Sequence, residues 1–289
     1  MTYREKYNLL RKIESKYINN TVVKSVLMDD GGFTDFTNLI MHFDDQLNDE
    51  KKVDKQIERI LNGEPLQYVL GYAYFINGNY FVNPDVLIPR QETEQLAMGT
   101  LVYIKKHFPN KKKITIVDVG TGSGILAIYL KENFPDAKVI AVDISDKSLL
   151  VARKNAELHN VSIDFRQGNI LEPISEKIDV IVSNPPYIAA PDTVDEQTLK
   201  YEPHLALFAN PPIKFYREIL SSLNKMKNEF LIAFEIGEDM KNELTELLES
   251  EHLCLGYNFE KDMYGKDRFL YIVRKKDFDK YAAWTIWIS

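Results

Sequence analysis

Residues 1–72 carry apolar side chains at helical spacing. Such spacing predicts helices that each bury one face. Three stripes are visible, formed by Leu9, Ile13 and Tyr17, by Phe36, Leu39, Ile40, Phe43 and Leu47, and by Val53, Ile57, Ile60 and Leu61. Residues 29–32, Asp-Asp-Gly-Gly, interrupt the pattern after the first stripe. Gly63, with Pro65 just beyond it, is typical of a helix end. The pattern predicts a small helical domain over residues 1–72.

The pattern changes to β-prone, aromatic runs over residues 68–75 and 79–82. Gly78 lies in the short link between them, so the two runs are expected to form a β-hairpin. Residues 73–90 are therefore predicted to be a hairpin connector between the helical domain and the rest of the chain.

From residue 91 onward, strand and helix patterns alternate. After a helical stretch at 92–107, the predicted strands are 114–119, 138–142, 162–166, 178–183 and 230–235. The predicted helices between and after them are 125–133, 147–159, 214–225 and 239–249. Such alternation predicts an α/β fold with a parallel sheet covered by helices on both faces. Two final strands, near 256–260 and 269–273, have no helix between them, so one of them should be antiparallel.

A glycine-rich loop, Gly120-Thr121-Gly122-Ser123-Gly124, joins the first of these strands to its helix. A dinucleotide fingerprint would require a small third residue at the position of Ile125. The spacing instead suits a ligand without a pyrophosphate, such as S-adenosylmethionine, although a tight turn with no ligand would also explain it. Asp118, just before the loop, is a candidate to hold the loop amides or to meet the ammonium group of the cofactor.

Three further residues follow the next two strands and are candidate cofactor contacts. Asp143 ends the second strand, where a carboxylate can accept both ribose hydroxyls. Asn169, after the third strand, can offer an amide to the adenine edge, and Ile170 can lie against the ring face. A helix cap at Asp143 and a turn at Asn169 are the alternatives.

The tetrapeptide Asn184-Pro185-Pro186-Tyr187 follows the apolar strand 178–183. Ligands bind at the carboxyl ends of strands in open parallel sheets. The side-chain carbonyl of Asn184 and the main-chain carbonyl of Pro185 can accept the two N–H bonds of a planar nitrogen. The two prolines restrict the backbone, and Tyr187 can stack on a planar group. The motif predicts methyl transfer to an amide or aryl nitrogen, the alternative being a proline-rich strand exit without function.

Composition and charge narrow the class of protein. The formal net charge of −7 and the pI of about 5.4 argue against an extended nucleic-acid surface but leave room for a local basic patch. Cys254 is the single cysteine, so no internal disulfide can form and its apolar neighbours predict a buried thiol. No apolar run approaches the length of a membrane span, and no signal peptide is visible. We expect a cytoplasmic protein with neither a membrane segment nor a metal site. Residues 111–113, three lysines, are expected to form a solvated loop, the alternative being an anion site.

Five stretches of the chain resemble one family. They are Gly63-Glu64-Pro65-Leu66-Gln67-Tyr68 with Gly71, Leu87-Ile88-Pro89-Arg90-Gln91-Glu92-Thr93-Glu94, the glycine-rich loop, Val182-Ser183-Asn184-Pro185-Pro186-Tyr187-Ile188, and Tyr201-Glu202-Pro203 with Ala206-Leu207-Phe208. In these stretches, spread over nearly the whole length, the chain resembles the HemK/PrmC family, the protein-(glutamine-N5) methyltransferases of peptide chain release factors.

The resemblance implies a fold and an activity. It implies a Rossmann-like, seven-stranded class I S-adenosylmethionine-dependent methyltransferase domain over 91–289. It also implies that the helical domain recognises the release factor. The expected reaction transfers a methyl group from S-adenosyl-L-methionine to the N5 amide nitrogen of the glutamine in the Gly-Gly-Gln motif, a modification in translation termination. A monomer without direct nucleic-acid recognition is expected.

The resemblance also implies residue roles. The loop 120–124, Asp143 and Asn184 would bind the cofactor, and Asn184-Pro185-Pro186-Tyr187 would hold the glutamine. Glu202 and the segment 189–212 would help to enclose it. The chain departs from the family pattern at Gln91, usually proline, at Asn169, usually aspartate, and at Pro211-Pro212, usually glycine-rich. No role is predicted for the tail 277–289.

Three other functions compete with this hypothesis. An adenine-N6 or other base-nitrogen methyltransferase must also hold a planar nitrogen in line with the methyl donor. Such enzymes usually carry a basic surface, which the acidic composition of this chain does not favour. A non-catalytic binding protein would not need the Asn184 motif, and an NAD oxidoreductase is disfavoured by Ile125.

Overall fold

The computed structural model describes residues 1–76, 78–109, 111, 113–250 and 255–274. Cys254, for which a buried thiol is predicted, the tail 277–289 and the middle residue of the lysine run lie outside the described residues. The chain divides into two compact units. The first comprises Met1–Tyr72 and Asp195–Tyr201, and the second comprises Ala73–Val194 and the described residues from Glu202 onward.

The first unit is helical, with α1 (Tyr3–Leu10), α2 (Asn20–Gly31), α3 (Phe36–Met41), α4 (Glu50–Leu61) and α5 (Leu66–Leu70). Polar caps begin the first four helices. The side chains of Thr2, Asn19, Asp35 and Asp49 each accept a hydrogen bond from the backbone N–H three residues ahead, which satisfies a donor that the helix leaves free. Their apolar faces meet in one core around Val23, Leu27, Leu39 and Val53.

The predicted helix through Leu9, Ile13 and Tyr17 is wrong. The Thr2 cap starts α1 early, so it buries Tyr3, Tyr7 and Leu10, and Leu9 is exposed. The sequence prediction missed α2 altogether, although Asn19 caps it.

Two further predictions in this unit need correction. Helix α3 ends at Met41, short of Phe43 and Leu47, which lie in the chain beyond it. The first β-prone run begins as helix α5, because Gly71 in a left-handed conformation (φ 82°) ends that helix before the strand starts.

The predicted hairpin starts at Tyr72, where the first unit ends, and continues into the second unit, in which a long helix follows. Strands β1 (Tyr72–Phe75) and β2 (Gly78–Phe81) pair in a two-stranded sheet, and α6 (Gln91–His107) follows. Gln91, one of the departures from the family pattern, is the first residue of α6.

A seven-stranded sheet forms the centre of the second unit. Its strands are β3 (Thr115–Val119), β4 (Lys138–Asp143), β5 (Asp164–Gln167), β6 (Ile178–Ser183), β7 (Met226–Glu235), β8 (Gly256–Lys261) and β9 (Asp267–Arg274). The order is β5-β4-β3-β6-β7-β9-β8. Only β9 runs antiparallel to its neighbours β7 and β8, so the predicted α/β fold with one antiparallel strand near the end is confirmed.

Helices cover both faces of the sheet. Helices α6, α7 (Ile125–Asn133) and α8 (Asp146–Leu158) pack on one face, and α11 (Ile213–Ser221) and α12 (Lys241–Ser250) on the other. Two short helices, α9 (Glu196–Tyr201) and α10 (His204–Leu207), lie in the chain between β6 and α11. Alternate residues of β3 enter different cores: Ile116 packs with α6 and α7, and Val117 packs with α11 and α12. None of the described helices combines the length and apolar character needed to cross a membrane.

Helix α9 belongs to the first unit, although its neighbours in the chain belong to the second. The Tyr201 hydroxyl donates to the Asn62 carbonyl at 3.0 Å, and Gln197 Nε2 donates to the Gly63 carbonyl at 2.9 Å. These bonds satisfy carbonyls at the end of α4.

Asp179 anchors the start of β6, the strand that leads to Asn184. Its buried Oδ2 accepts from the Thr115 backbone N–H and from Lys227 Nζ, both at 2.7 Å. Lys111 Nζ lies 2.6 Å from Oδ1, so this residue of the lysine run forms an ion pair.

We expect Asp179→Ala to lower the free energy of unfolding by about 2–4 kcal/mol, because it leaves a buried N–H without its acceptor and two cations without their counter-charge. Asp164→Ala is the control, since that carboxylate pairs with Arg166 near the surface, with 41% of its side chain exposed, and should cost about 1 kcal/mol or less. Urea denaturation measures both, and equal losses would contradict the proposed anchor.

Candidate active site

A cavity of about 280 Å³ opens at the carboxyl ends of the parallel strands. Its lining comes from the connections after β3, β4, β5 and β6, together with the segment before α6 and the chain around α10. The residues that line it include Thr93, Gly120, Thr121, Gly122, Ser123, Asp143, Ser145, Asn169, Ile170, Asn184, Pro186, Pro203, Leu205 and Ala206. The cavity lies where the strand order reverses between β3 and β6, the usual ligand position in such sheets.

The glycine-rich loop is shaped by left-handed backbone conformations. Gly122 has a φ of 55°, which L-residues with side chains rarely adopt. At Gly124, with a φ of 85°, an added Cβ would come within 3.1 Å of Ala152 Cβ. Gly124 therefore allows α7 to approach α8 closely, and it is not among the residues that line the cavity.

Asp118 supports this loop from beneath. Its Oδ2 accepts from the Thr121 hydroxyl at 2.6 Å and from the Ala127 backbone N–H at 3.2 Å. Burial raises the pKa of this carboxyl to about 7, although both hydrogen bonds act in the opposite direction. Asp118 does not line the cavity, so this geometry places it with the loop rather than against a ligand.

Asp143 presents a carboxylate to the cavity. Its Oδ2 accepts from the Gly122 N–H and its Oδ1 from the Ser145 N–H, both at 2.9 Å. Each carboxylate oxygen can accept a second hydrogen bond, so both remain able to receive ligand hydroxyls. Burial raises the pKa of Asp143, and the backbone N–H donors partly offset this effect.

Asn169 and Ile170 line the cavity beyond Asp143. Ile170 has a positive φ of 51°, unusual for a β-branched residue. The neighbouring Gly168 N–H donates to the Asp143 carbonyl at 3.0 Å. The connections after β4 and β5 are thus joined at the point where a nucleoside would extend across them.

The tetrapeptide after β6 divides between cavity and core. Asn184 and Pro186 line the cavity, whereas Pro185 and Tyr187 do not. The Tyr187 ring packs against the core, and its hydroxyl donates to Glu235 Oε1 at 3.2 Å. The ring therefore lies outside the cavity lining, and its stacking on the acceptor stays a prediction.

Glu202 ties the chain before α10 to the chain before α6. Its Oε2 accepts from the Ile88 N–H at 3.1 Å, and its Oε1 accepts from Arg90 Nη2 at 2.5 Å. The carboxylate is buried, and the residues that follow it, Pro203, Leu205 and Ala206, line the cavity. Glu202 therefore holds part of the cavity wall.

Sequence reasoning missed two residues, Thr93 and Glu235. The Thr93 hydroxyl accepts from Asn184 Nδ2 at 3.0 Å and donates to Glu235 Oε2 at 2.8 Å. Glu235 is fully buried, and burial raises the pKa of its carboxyl to about 7. The available signal was an acid placed directly after the apolar run Phe230–Phe234 at a strand's carboxyl end.

The fold is shared with known methyltransferases. A crystal structure of a methyltransferase from Pyrococcus furiosus superimposes with a TM-score of 0.50 at 18% identity, covering 76% of this chain and 98% of that one. At this identity the likeness concerns the fold alone.

Sequence comparisons identify the family. Residues 93–201 match the model of the methyltransferase small domain, and residues 30–71 match that of the PrmC N-terminal domain. The release factor glutamine methyltransferase of Flavobacterium psychrophilum is 41% identical over 72% of this chain and 74% of that protein. The enzyme of the same name from Enterococcus faecalis is 38% identical over 81% of this chain and 85% of that protein. The resemblance to the HemK/PrmC family is confirmed, and the chain belongs to the release factor glutamine methyltransferases.

Proposed function

We propose that this protein transfers a methyl group from S-adenosyl-L-methionine to the N5 amide nitrogen of the glutamine in the Gly-Gly-Gln motif of a peptide chain release factor. The observation that carries the proposal is the Asn184 amide, held by Thr93 at the cavity beside the glycine-rich loop. The curated names of the relatives support the identity of the acceptor.

The cavity residues fit the cofactor. Backbone groups of Gly120, Thr121, Gly122 and Ser123 would face its amino-acid end. The Asp143 carboxylate would accept the ribose hydroxyls, while Asn169 and Ile170 would contact the adenine edge and ring face. Gly124 would not contact the cofactor in this scheme. Its role is to let α7 pack closely against α8.

The cofactor, when bound, supplies an electrophilic methyl group on sulfur. An amide nitrogen is a weak nucleophile because its lone pair is delocalised into the carbonyl. Asn184 Oδ1 and the Pro185 carbonyl would accept the two N–H bonds and aim the nitrogen. The prolines lack N–H donors and have a fixed φ, so the acceptors stay in place. Such positioning can contribute about 7–11 kcal/mol to lowering a barrier, and no base is required before attack.

The helical unit would recognise the body of the release factor. The match of residues 30–71 to the PrmC N-terminal domain supports this assignment. In this scheme residues 1–72 recognise the partner, the hairpin region 73–90 connects, and residues 91–289 carry out methyl transfer. The protein would act as a monomer, in the cytoplasm where translation terminates, without recognising nucleic acid directly.

Mass spectrometry of purified release factor, after incubation with the protein and S-adenosylmethionine, tests the proposal. The expected result is one methyl group in place of one hydrogen on the glutamine of the Gly-Gly-Gln peptide. A release factor with that glutamine replaced by alanine should gain nothing. Transfer of labelled methyl to DNA or RNA, with none to the release factor, would instead favour a base-nitrogen methyltransferase.

Asn184→Ala should lower the rate of release-factor methylation by about 10²–10³-fold, the loss typical when a polar group acting on the transition state is removed. Cofactor affinity, measured by calorimetry, should be largely retained. Asn224→Ala, at an exposed asparagine, is the matched control and should leave the rate unchanged. Undiminished methylation in Asn184→Ala, or an equal loss of cofactor binding, would refute these roles.

Asp143→Ala should raise the dissociation constant for S-adenosylmethionine by about 10²-fold, because hydrogen bonds to a charged acceptor are lost. Asp146→Ala removes an exposed carboxylate three residues away, in the first turn of α8, and should bind normally. Isothermal calorimetry measures the dissociation constant for S-adenosylmethionine in both variants. An unchanged constant in Asp143→Ala would show that Asp143 does not bind the cofactor.

A further inference from the structure

A buried chain of hydrogen bonds leads from the cavity into the core. Asn184 Nδ2 donates to Thr93 Oγ1 at 3.0 Å, and the Thr93 hydroxyl donates to Glu235 Oε2 at 2.8 Å. Glu235 Oε1 accepts from the Tyr187 hydroxyl at 3.2 Å. Thr93 and Glu235 are 3% and 1% exposed, so water does not compete for the bond between them, whereas the bonds to Asn184 and Tyr187 are partly buried.

The number of protons that Thr93 and Glu235 carry determines which group donates in each of these hydrogen bonds. A threonine hydroxyl has one proton, and an ionised carboxylate has none. The Thr93 proton therefore goes to Glu235, and the Thr93 oxygen can only accept from its other neighbour. Asn184 is that neighbour, so it must present its Nδ2 to Thr93. Its Oδ1 is then left to face the cavity.

We infer that Thr93 and the ionised Glu235 are positioning residues that determine which end of the Asn184 amide faces the substrate. This inference rests on the proposed function, because a glutamine amide brings two N–H donors to the site. With the Asn184 amide reversed, its NH₂ group would meet the substrate NH₂ group, and neither could accept. The chain thus selects the one orientation that can bind the nucleophile.

Protonation of Glu235 removes this selection. A protonated carboxyl can donate to Thr93, and the Thr93 hydroxyl is then free to donate to Asn184 Oδ1, which stabilises the reversed amide. Burial raises the pKa of Glu235 to about 7, Arg268 on β9 and the hydrogen bonds from Thr93 and Tyr187 lower it, and Glu92 on α6 raises it. From α11, the Tyr216 hydroxyl donates to the Glu235 main-chain carbonyl at 2.9 Å. Both forms of Glu235 are therefore populated near neutral pH.

The ionised form of Glu235 lowers the stability of the folded protein. An acid whose pKa is raised on folding contributes stability below its unfolded pKa, and that stability is lost as the pH rises through the folded pKa. Above pH of about 7 the ionised Glu235 thus destabilises the protein, whereas a neutral side chain of the same shape would not. A buried acid with a raised pKa, linked by Thr93 to a residue of the cavity, is a candidate for a role in the site.

Substitutions on one face of α6 test the role of the hydroxyl. Thr93→Val keeps the shape and removes the bond, and kcat for release-factor methylation should fall about tenfold, the rate equivalent of one hydrogen bond. The KM for S-adenosylmethionine should not change, and Thr93→Ser should restore the rate. Thr100→Val is the matched control, because Thr100 is fully buried on α6 and its hydroxyl has no partner within the described part of the chain. An equal loss in Thr100→Val, or no rescue by Thr93→Ser, would refute the inference.

Glu235→Gln tests the charge. In the unsubstituted protein, kcat should decrease as the pH falls through about 7. In Glu235→Gln that decrease should be absent, and kcat at pH 8 should already be low, about tenfold below the parent. The midpoint of thermal unfolding at pH 8 should not be lower. Asp118, whose pKa is also raised to about 7, is present in both proteins, so the difference between the two profiles isolates Glu235. Identical profiles and rates would overturn the inference.

A spectroscopic test requires no acceptor. In protein labelled with ¹⁵N-asparagine, the Asn184 side-chain signal, assigned by its loss in Asn184→Ala, should titrate with a midpoint near pH 7 and should not titrate in Glu235→Gln. If the Asn184 signal of the unsubstituted protein did not change with pH, the proposed role of Thr93 and Glu235 in orienting Asn184 would be refuted. Normal titration without methylation of release factor would instead refute the proposed function alone.

Discussion

The pairing of β3 with β6 is the constraint on which the site depends. Val119 and Ser183 are register partners at the carboxyl ends of these strands, and the Ser183 hydroxyl donates to the Val119 carbonyl at 2.7 Å. The next residue of each strand is Gly120 on one side and Asn184 on the other. A shift of one residue in this register would turn every side chain of β6 to the opposite face and would separate the two motifs. The buried anchor at Asp179 acts at the other end of the same strand.

The parts of the fold that could be predicted are those with a continuous apolar signal. Helix α7 and strand β6 have the predicted bounds, because each is a buried apolar run with a clear polar or glycine boundary. The first helices could not be predicted so well. They are short, and their starts depend on single caps such as Thr2 and Asn19 rather than on periodicity.

The site shows the same division. The sequence predicted those lining residues that lie at or just after the end of a strand, because these strands end at the same edge of the sheet. They are residues 120–123 of the loop, Asp143, Asn169 and Asn184. Thr93 and Glu235 were not, because they are 142 positions apart in the chain and meet only when α6 packs against β7. Tyr187 was predicted from its motif to stack on the acceptor, and the motif gave no sign of the hydrogen bond between its hydroxyl and the buried Glu235. Long-range contacts of this kind leave no mark on local periodicity.

Helix α9 has a consequence for how this protein can be divided. The chain leaves the second unit after Val194, contributes Asp195–Tyr201 to the helical unit, and returns at Glu202. The helical unit is therefore discontinuous in the chain, joined to the rest by three peptide crossings rather than one. A fragment cut after Tyr72 would lose the donors that Tyr201 and Gln197 bring to the Asn62 and Gly63 carbonyls. Exchange of the helical unit between relatives by simple end-to-end fusion would thus produce an incomplete unit, and any such graft must carry two separate segments of chain.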